Sequence, residues 1–324
     1  MKALLCSEFT GLDALRVEDV ASPVPNKGQV VITVKAAGVN FPDTLIVAGK
    51  YQIKPPLPFA PGGEFAGVVR EVGEGVTSVN VGERVLGVSL YGGFAEEAVI
   101  DANRVVPIAP SIGFDVAAAL MFAHGTSWHA LKDRGSLRPG ETLLVLGASG
   151  GVGLAAVEIG KLMGATVIAA ASTDAKLAAC RERGADHTIN YAHDDLKDAV
   201  RALTAGRGVD VVYDPVGGDL SEPALRAMAW KGRFLVIGFA SGTIPRIPLN
   251  LPLLKGISIV GVFWGEFMRR EPERNAENVP DIMQAVAAGK LKPLISGRYP
   301  LTRAVDALRA IERREVTGKV IIEP

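Results

Sequence analysis

The sequence predicts an α/β protein in two parts: a β-rich domain, and a domain built on a doubly wound parallel sheet. Three observations predict it. Short apolar runs rich in β-branched residues crowd the N-terminal part of the chain. From Thr142 to Ile237, strand-like and helix-like runs alternate with short loops. A glycine-rich turn joins the first of those strands to the first of those helices.

The elements follow in order. Gln29–Lys35 (QVVITVK) alternates as a half-buried strand does, and Glu64–Val72, Arg84–Val88 and Phe94–Ile100 are further short runs between Gly, Pro and Asn turns. Strands at this spacing suggest a compact barrel or sandwich. Asp115–Ala130 reads as a helix. Thr142–Leu146 is a buried strand, and Val152–Met163 a helix with Val152, Ala155, Ile159 and Leu162 on one face. Strand Thr166–Ala170 leads to helix Asp174–Arg183, which Gly184 ends. Strand His187–Asn190, helix Leu196–Leu203, strand Val209–Tyr213, helix Ser221–Ala229 and strand Arg233–Ile237 continue the alternation. Such alternation makes a parallel sheet covered by helices on both faces. Ile257–Trp264 is one more apolar strand. Helices at Asp281–Ala288 and Arg303–Arg313 and a strand at Lys319–Ile322 close the chain.

Composition sets bounds on function. The chain has 324 residues, enough for two domains at the usual ~150 each. Lys plus Arg and Asp plus Glu both number 35, so no bulk charge draws the chain to nucleic acid or to an anionic membrane. With 48% hydrophobic residues it can bury a sizeable core. The only cysteines, Cys6 and Cys180, exclude a disulfide framework and a Cys-rich zinc site. Residues 1–20 lack the apolar core of a signal peptide, and the longest uncharged apolar stretch, 142–157, falls short of the ~20 residues that span a bilayer. These features predict a cytoplasmic protein acting on a small molecule.

The turn reads Gly147-Ala148-Ser149-Gly150-Gly151-Val152-Gly153 between strand and helix, the context of a dinucleotide-binding turn. Glycine permits positive φ and close approach of backbone to a pyrophosphate, and the helix N-terminus offers N–H groups and a positive dipole end. Ala148 replaces the second Gly of the strict pattern. An NAD enzyme places Asp or Glu at the tip of the next strand, ~20 residues on. Here the strand ends Ala170-Ala171-Ser172-Thr173, with no carboxylate at the tip and with Lys176 nearby. That combination favours NADPH over NADH. Asp174 opposes it, but stands past the tip, in the first turn of the next helix. Thr173 or Ser172 can alternatively cap that helix.

The chain resembles the zinc-independent medium-chain dehydrogenases/reductases of the NADPH:quinone oxidoreductase (zeta-crystallin-like) group over essentially its whole length. The resemblance rests on Gly38-Val39-Asn40-Phe41-Pro42-Asp43, Gly49-Lys50-Tyr51, Pro56-Leu57-Pro58, Pro61-Gly62-Gly63-Glu64, Pro139-Gly140-Glu141, Gly147–Gly153, Asn190-Tyr191, Val212–Gly218 and Thr317-Gly318-Lys319-Val320. It implies a GroES-like catalytic domain of residues 1–122 and 258–324, a Rossmann NADPH-binding domain of residues 123–257, and an active site in the cleft between them. Zinc-dependent relatives carry Cys where this chain has Asn40 and His where it has Gly63. Without a Lewis acid an alcohol is poorly activated; reduction of a conjugated carbonyl, where charge spreads into an enolate or hydroquinone, is the easier chemistry, and the resemblance points first to hydride transfer to a quinone. Two alternatives stand beside it: reduction of an activated alkene of enoyl, acryloyl or 2-haloacrylate type, and a non-catalytic NADPH-binding role.

The resemblance also implies site residues. Asn40, Tyr51 and Thr126 stand at catalytic positions, Thr126 at the one that meets the nicotinamide end; the other readings of Asn40 and Tyr51 are a turn residue and surface packing on Pro55–Pro58. Gly147, Ser149, Gly150, Gly151, Val152, Gly153, Ser172, Thr173, Lys176, Tyr191, Gly238, Phe239, Phe263 and Lys319 stand at cofactor positions, with Phe263 and Trp264 equally readable as edge packing. His124, His129, His187 and His193 read as core or surface histidines, Cys180 as a small buried residue and Arg269–Arg274 as a solvated loop. The apolar edge Ile257–Trp264 is an association hazard, and in the group the chain resembles such edges pair across a two-fold axis, which implies a homodimer.

Overall fold

The computed structural model describes residues 1–324. It divides into two compact units, Met1–Phe122 with Pro293–Pro324, and Ala123–Lys292. No helix is long and apolar enough to cross a membrane.

The chain opens with β1 (Lys2–Leu5) and β2 (Arg16–Asp19), an antiparallel pair. The long strand β3 (Gln29–Val39) runs into α1 (Phe41–Val47). Pro42 suits the first turn of α1, where its missing N–H leaves no bond unmade. Asp43 reaches back to accept from the Asn40 N–H at 2.7 Å, so Asn40 both ends the strand and starts the helix. β4 (Glu64–Val72), β5 (Arg84–Val88), β6 (Glu97–Asp101), β7 (Val105–Pro107) and α2 (Phe114–Ala118) complete this stretch.

The segment that leads into the second unit is irregular. A π-helical turn at Met121–Gly125, the one-turn α3 (Thr126–Trp128) and a second π-helical turn at His129–Arg134 replace the single helix expected at Asp115–Ala130. Ser127 anchors this segment: its hydroxyl donates to the Val152 carbonyl at 3.0 Å and shares a 2.8 Å bond with the Tyr213 hydroxyl. Then follow β8 (Thr142–Val145), α4 (Gly151–Leu162), β9 (Thr166–Ala171), α5 (Asp174–Glu182), β10 (His187–Asn190), α6 (Leu196–Leu203), β11 (Val209–Asp214), α7 (Ser221–Arg226), β12 (Met228–Val236), α8 (Asn250–Lys255), β13 (Ser258–Gly261), α9 (Trp264–Arg270) and α10 (Pro272–Ala287). The six strands are all parallel, in the order β10-β9-β8-β11-β12-β13. Leu143, Leu144, Val145, Val167, Ile168 and Ala169 are all buried, so the sheet is covered on both faces.

β14 (Ile295–Pro300), α11 (Ala304–Glu312) and β15 (Lys319–Glu323) return to the first unit. Its sheet runs β14-β15-β3-β4-β5-β7, with β6 also on β3. The expected return at residue 258 moves to 293, because β13 extends the parallel sheet beside β12 and keeps 258–292 in the second unit. The expected strand Ile257–Trp264 is correspondingly shorter. Trp264 starts α9, with its ring buried and its Nε1 donating to Asn275 Oδ1 at 3.2 Å. Arg269–Arg274 is helical at both ends rather than a loop. Pro280 lies inside α10, which begins nine residues before the expected helix start at Asp281.

The Ser127–Tyr213 bond is fully buried. Ser127→Ala, Tyr213→Phe and the double variant should give a coupling of about 1 kcal/mol in denaturant unfolding. Additive losses would mean the bond does not hold α3.

Candidate functional site

The parallel sheet reverses its strand order between β8 and β11, where a doubly wound sheet opens a crevice at its carboxyl ends. The glycine turn sits at that point. Gly147 has φ 55°, and a Cβ on Gly153 would lie 2.4 Å from the Gly147 carbonyl oxygen, so helix and strand meet this closely only without side chains. Gly150 is the residue that precedes α4, and no side chain caps the helix. The first N–H groups of α4 are therefore left for a ligand, with the positive end of the helix behind them. Ser149 is buried in the turn; Gly151 and Val152 are half-buried at the helix start.

The other predicted cofactor residues of this unit share the same sheet edge. Ser172, Thr173 and Lys176 follow β9, Tyr191 follows β10, Gly238 and Phe239 follow β12, and Phe263 follows β13. Thr173 caps α5: its hydroxyl oxygen accepts from the Lys176 N–H at 3.3 Å, which leaves the O–H free to donate elsewhere. Phe239 is partly exposed, and Phe263 is 43% exposed while its neighbour Trp264 is buried. Thr126 is half-buried on α3.

Sequence reasoning missed Asp214 as a shaping residue. Its carboxylate is buried at the end of β11 and accepts from the Val216 and Gly217 N–H groups and the Ser221 hydroxyl, at 2.8, 2.9 and 2.6 Å. Burial raises its pKa against those bonds. The only available signal was its place in Val212–Gly218.

The first unit gathers a second set. Lys319, expected on the cofactor side, lies on β15 with its ammonium buried against Asn40 Oδ1 and Glu64 Oε1, each at 2.5 Å. Asn40 Nδ2 donates to Glu64 Oε1 at 3.1 Å and to the Gly38 carbonyl at 3.3 Å. Glu64 Oε2 accepts from the Phe122 N–H at 2.9 Å. Both amide hydrogens of Asn40 are thus engaged and its oxygen faces the lysine, whereas the lysine has a third N–H to give. Burial pushes the Asp43 carboxyl up to about 7, against the Asn40 N–H bond and the Lys319 charge that favour ionisation. Tyr51 is half-buried; burial and the nearby Asp43 charge raise its phenol, which stays a donor at neutral pH.

Neither position that holds a zinc ligand in the metal-dependent relatives offers one here. A Cβ on Gly63 would lie 2.6 Å from Phe122 Cζ, so the phenylalanine ring fills the space a histidine would take. No group of three or more His, Cys, Asp or Glu is arranged to hold a metal ion. The histidines lie elsewhere, His124 Nε2 on Glu158 at 3.1 Å and His129 Nδ1 on Asp133 at 2.8 Å, while His187 and His193 are exposed.

Fold and site together define an oxidoreductase of the two-domain, dinucleotide-binding kind. Residues 26–110 match the alcohol dehydrogenase GroES-like domain, and residues 151–281 match the zinc-binding dehydrogenase family. A quinone oxidoreductase-like protein 2 homolog of Nematostella vectensis is 42% identical over 99% of this chain and 88% of its own. Quinone oxidoreductase-like protein 2 of Rattus norvegicus is 38% identical over 99% and 91%. Escherichia coli quinone oxidoreductase, solved as a complex with NADPH, superposes with a TM-score of 0.94 at 28% identity over all of both chains. The chain belongs to the quinone oxidoreductase group of the medium-chain dehydrogenases/reductases.

Asp43 gives a pH dependence. Unfolded, its carboxyl has the ordinary value of 3.8; folded, it holds a proton to about 7. Folding then takes up a proton between those values, so this contribution is full below the lower value and is lost as pH rises through the upper one. Asp43→Asn keeps an oxygen for the Asn40 N–H without the charge. The wild type should lose roughly 2 kcal/mol more than the variant between pH 5 and pH 8 in denaturant unfolding. Parallel profiles would refute the assignment.

Proposed function

We propose that this chain is an NADPH-dependent reductase of quinones that works without zinc. The observation that carries the reading is the buried Lys319 ammonium on Asn40 and Glu64: a fixed positive charge stands beside the position where metal-dependent relatives hold a ligand.

The residues of the second unit fit NADPH. The uncapped start of α4, on a turn whose close backbone packing Gly147 and Gly153 allow, suits a pyrophosphate. The tip of β9 carries Ser172 and no carboxylate, and Lys176 lies in the first turn of α5. Bound there, NADPH supplies a hydride. Donors are then needed where the acceptor oxygen gains negative charge. Lys319 has the third N–H for this, and Tyr51 a protonated phenol. Asn40 and Glu64 aim the lysine. Lys319 thereby takes a role nearer the acceptor than the cofactor role implied by the resemblance. Within the second unit, Thr126 on α3 serves the nicotinamide end of the cofactor, and Gly238, Phe239 and Phe263 line that end.

A panel of quinones, α,β-unsaturated acids and acyl thioesters, assayed by NADPH consumption, tests the reading. Quinones should be the best acceptors, with activity retained after dialysis against a chelator. Turnover of alkenes alone would transfer the assignment to an alkene reductase, and NADPH binding without turnover to a binding protein. Lys319→Met should lower kcat about 100-fold with little change in KM for NADPH. Because it leaves Glu64 without its partner, Lys319→Arg is the companion variant, expected to recover part of the rate.

We also infer a homodimer. β13 pairs only with β12 and leaves its other edge open, with Ile259 44% exposed. Light scattering at micromolar concentration should give twice the chain mass; a monomer alone would refute the dimer.

A further inference from the structure

Asp174 is a carboxylate among the residues after β9 that carry the NADPH reading above, where the adenosine 2′-phosphate would be received. It starts α5, between Thr173 and Lys176, and it is exposed. An acid in this place favours a ribose 2′-hydroxyl, which it can accept from, and disfavours a 2′-phosphate, which it repels. The structure shows what occupies it. Asn190, the last residue of β10, pairs with Ala171 at the end of β9, and its Nδ2 donates to Asp174 Oδ1 at 2.9 Å.

The amide cannot simply turn over. Asn190 Oδ1 accepts from the Ala192 N–H at 3.2 Å, so the NH2 end is the one that faces Asp174. The backbone around it is tied as well: the Asn190 N–H donates to Asp194 Oδ2 at 3.2 Å, and the Asn190 carbonyl accepts from the His193 and Asp194 N–H groups at 3.0 and 2.9 Å. The Tyr191 N–H donates to the Ala171 carbonyl at 3.1 Å, which locks this turn to the β9 tip. Asp174 is thus held toward β10 by a donor whose own orientation is fixed.

We propose that Asn190 is a specificity-determining positioning residue: it tethers the Asp174 carboxylate toward β10 and so permits a 2′-phosphate at a ribose site that would otherwise prefer a 2′-hydroxyl. The proposal rests on the NADPH reading above. Released from Asn190, Asp174 swings within reach of the ribose, and discrimination shifts from NADPH toward NADH.

Binding of adenosine fragments to the full, cofactor-free chain tests this without turnover. Calorimetric titration compares 2′,5′-ADP with 5′-AMP. The wild type should bind 2′,5′-ADP more tightly. Asn190→Ala should weaken 2′,5′-ADP about three- to tenfold and leave 5′-AMP unchanged or tighter, the size expected for one exposed like charge. Asn190→Asp, which keeps an oxygen for Ala192 but repels Asp174, should do the same. Adding Asp174→Ala to Asn190→Ala should restore the wild-type ratio. Equal weakening of both fragments, or no rescue by Asp174→Ala, would show that Asn190 only supports the turn and would overturn the proposal. A wild type that binds 5′-AMP as tightly as 2′,5′-ADP would overturn the NADPH reading itself, before any variant is made.

Discussion

A lysine ammonium buried in the first unit sets the terms for everything around it. An ammonium removed from water costs several kcal/mol unless oxygen ligands replace its hydration. Lys319 meets that demand with Asn40 and Glu64. These residues reach it because of strand register. Val320 on β15 pairs with Val39 on β3, and Gly38 on β3 pairs with Glu64 on β4. The last strand of the chain therefore has to lie beside β3 in this register, with Lys319 brought opposite Asn40. The same constraint fixes the start of α1, because Asn40 is its cap and Asp43 its third residue. A charge that must be solvated by protein thus joins the two ends of the chain.

The second unit is governed by a different constraint, the close packing of backbone at the β8–α4 turn. Ser127 and Tyr213 brace it from the side, through the Val152 carbonyl and a buried hydroxyl pair. Asp214 does the same for the turn after β11, and the Gly238 N–H reaches back to the Asp214 carbonyl at 3.4 Å. The strand tips are therefore rigid, and the polar atoms that shape them are buried. A site built this way holds its donors in place before a ligand arrives, which is the condition for using them efficiently.

How much of this the sequence discloses depends on range. The glycine turn, the alternating runs and the missing carboxylate at the β9 tip are local patterns, and the structure carries them at the expected positions. Asn40 and Gly63 stood out against the zinc-dependent relatives. The bond from Lys319 to Asn40 spans 279 residues, and no periodicity reports it. The same holds for Asp214, whose buried carboxylate is visible only once the turn after β11 is folded around it. The boundary at residue 258 failed for a related reason: whether β13 extends one sheet or begins another is decided by its partner strand, not by its own apolar run. The π-helical turns at 121–125 and 129–134 are likewise products of packing, since residues 115–130 alone read as an ordinary helix.

The zero net charge conceals how much local charge the two units use. Each predicted ligand region contains an acid that simple charge matching would exclude: Asp43 and Glu64 around the lysine, and Asp174 beside Lys176. Each is handled by different chemistry. Glu64 stays as the lysine's counter-ion. Asp43 is pushed up to about 7 by burial, so near neutrality its charge is partly suppressed. Asp174 is exposed and cannot be neutralised in that way; a hydrogen bond from Asn190 restrains it instead. Burial allows a protein to remove an unwanted charge by protonation, whereas at an exposed position only geometry is left. That difference is why a single asparagine at the end of β10 carries weight that no equivalent residue needs to carry in the first unit.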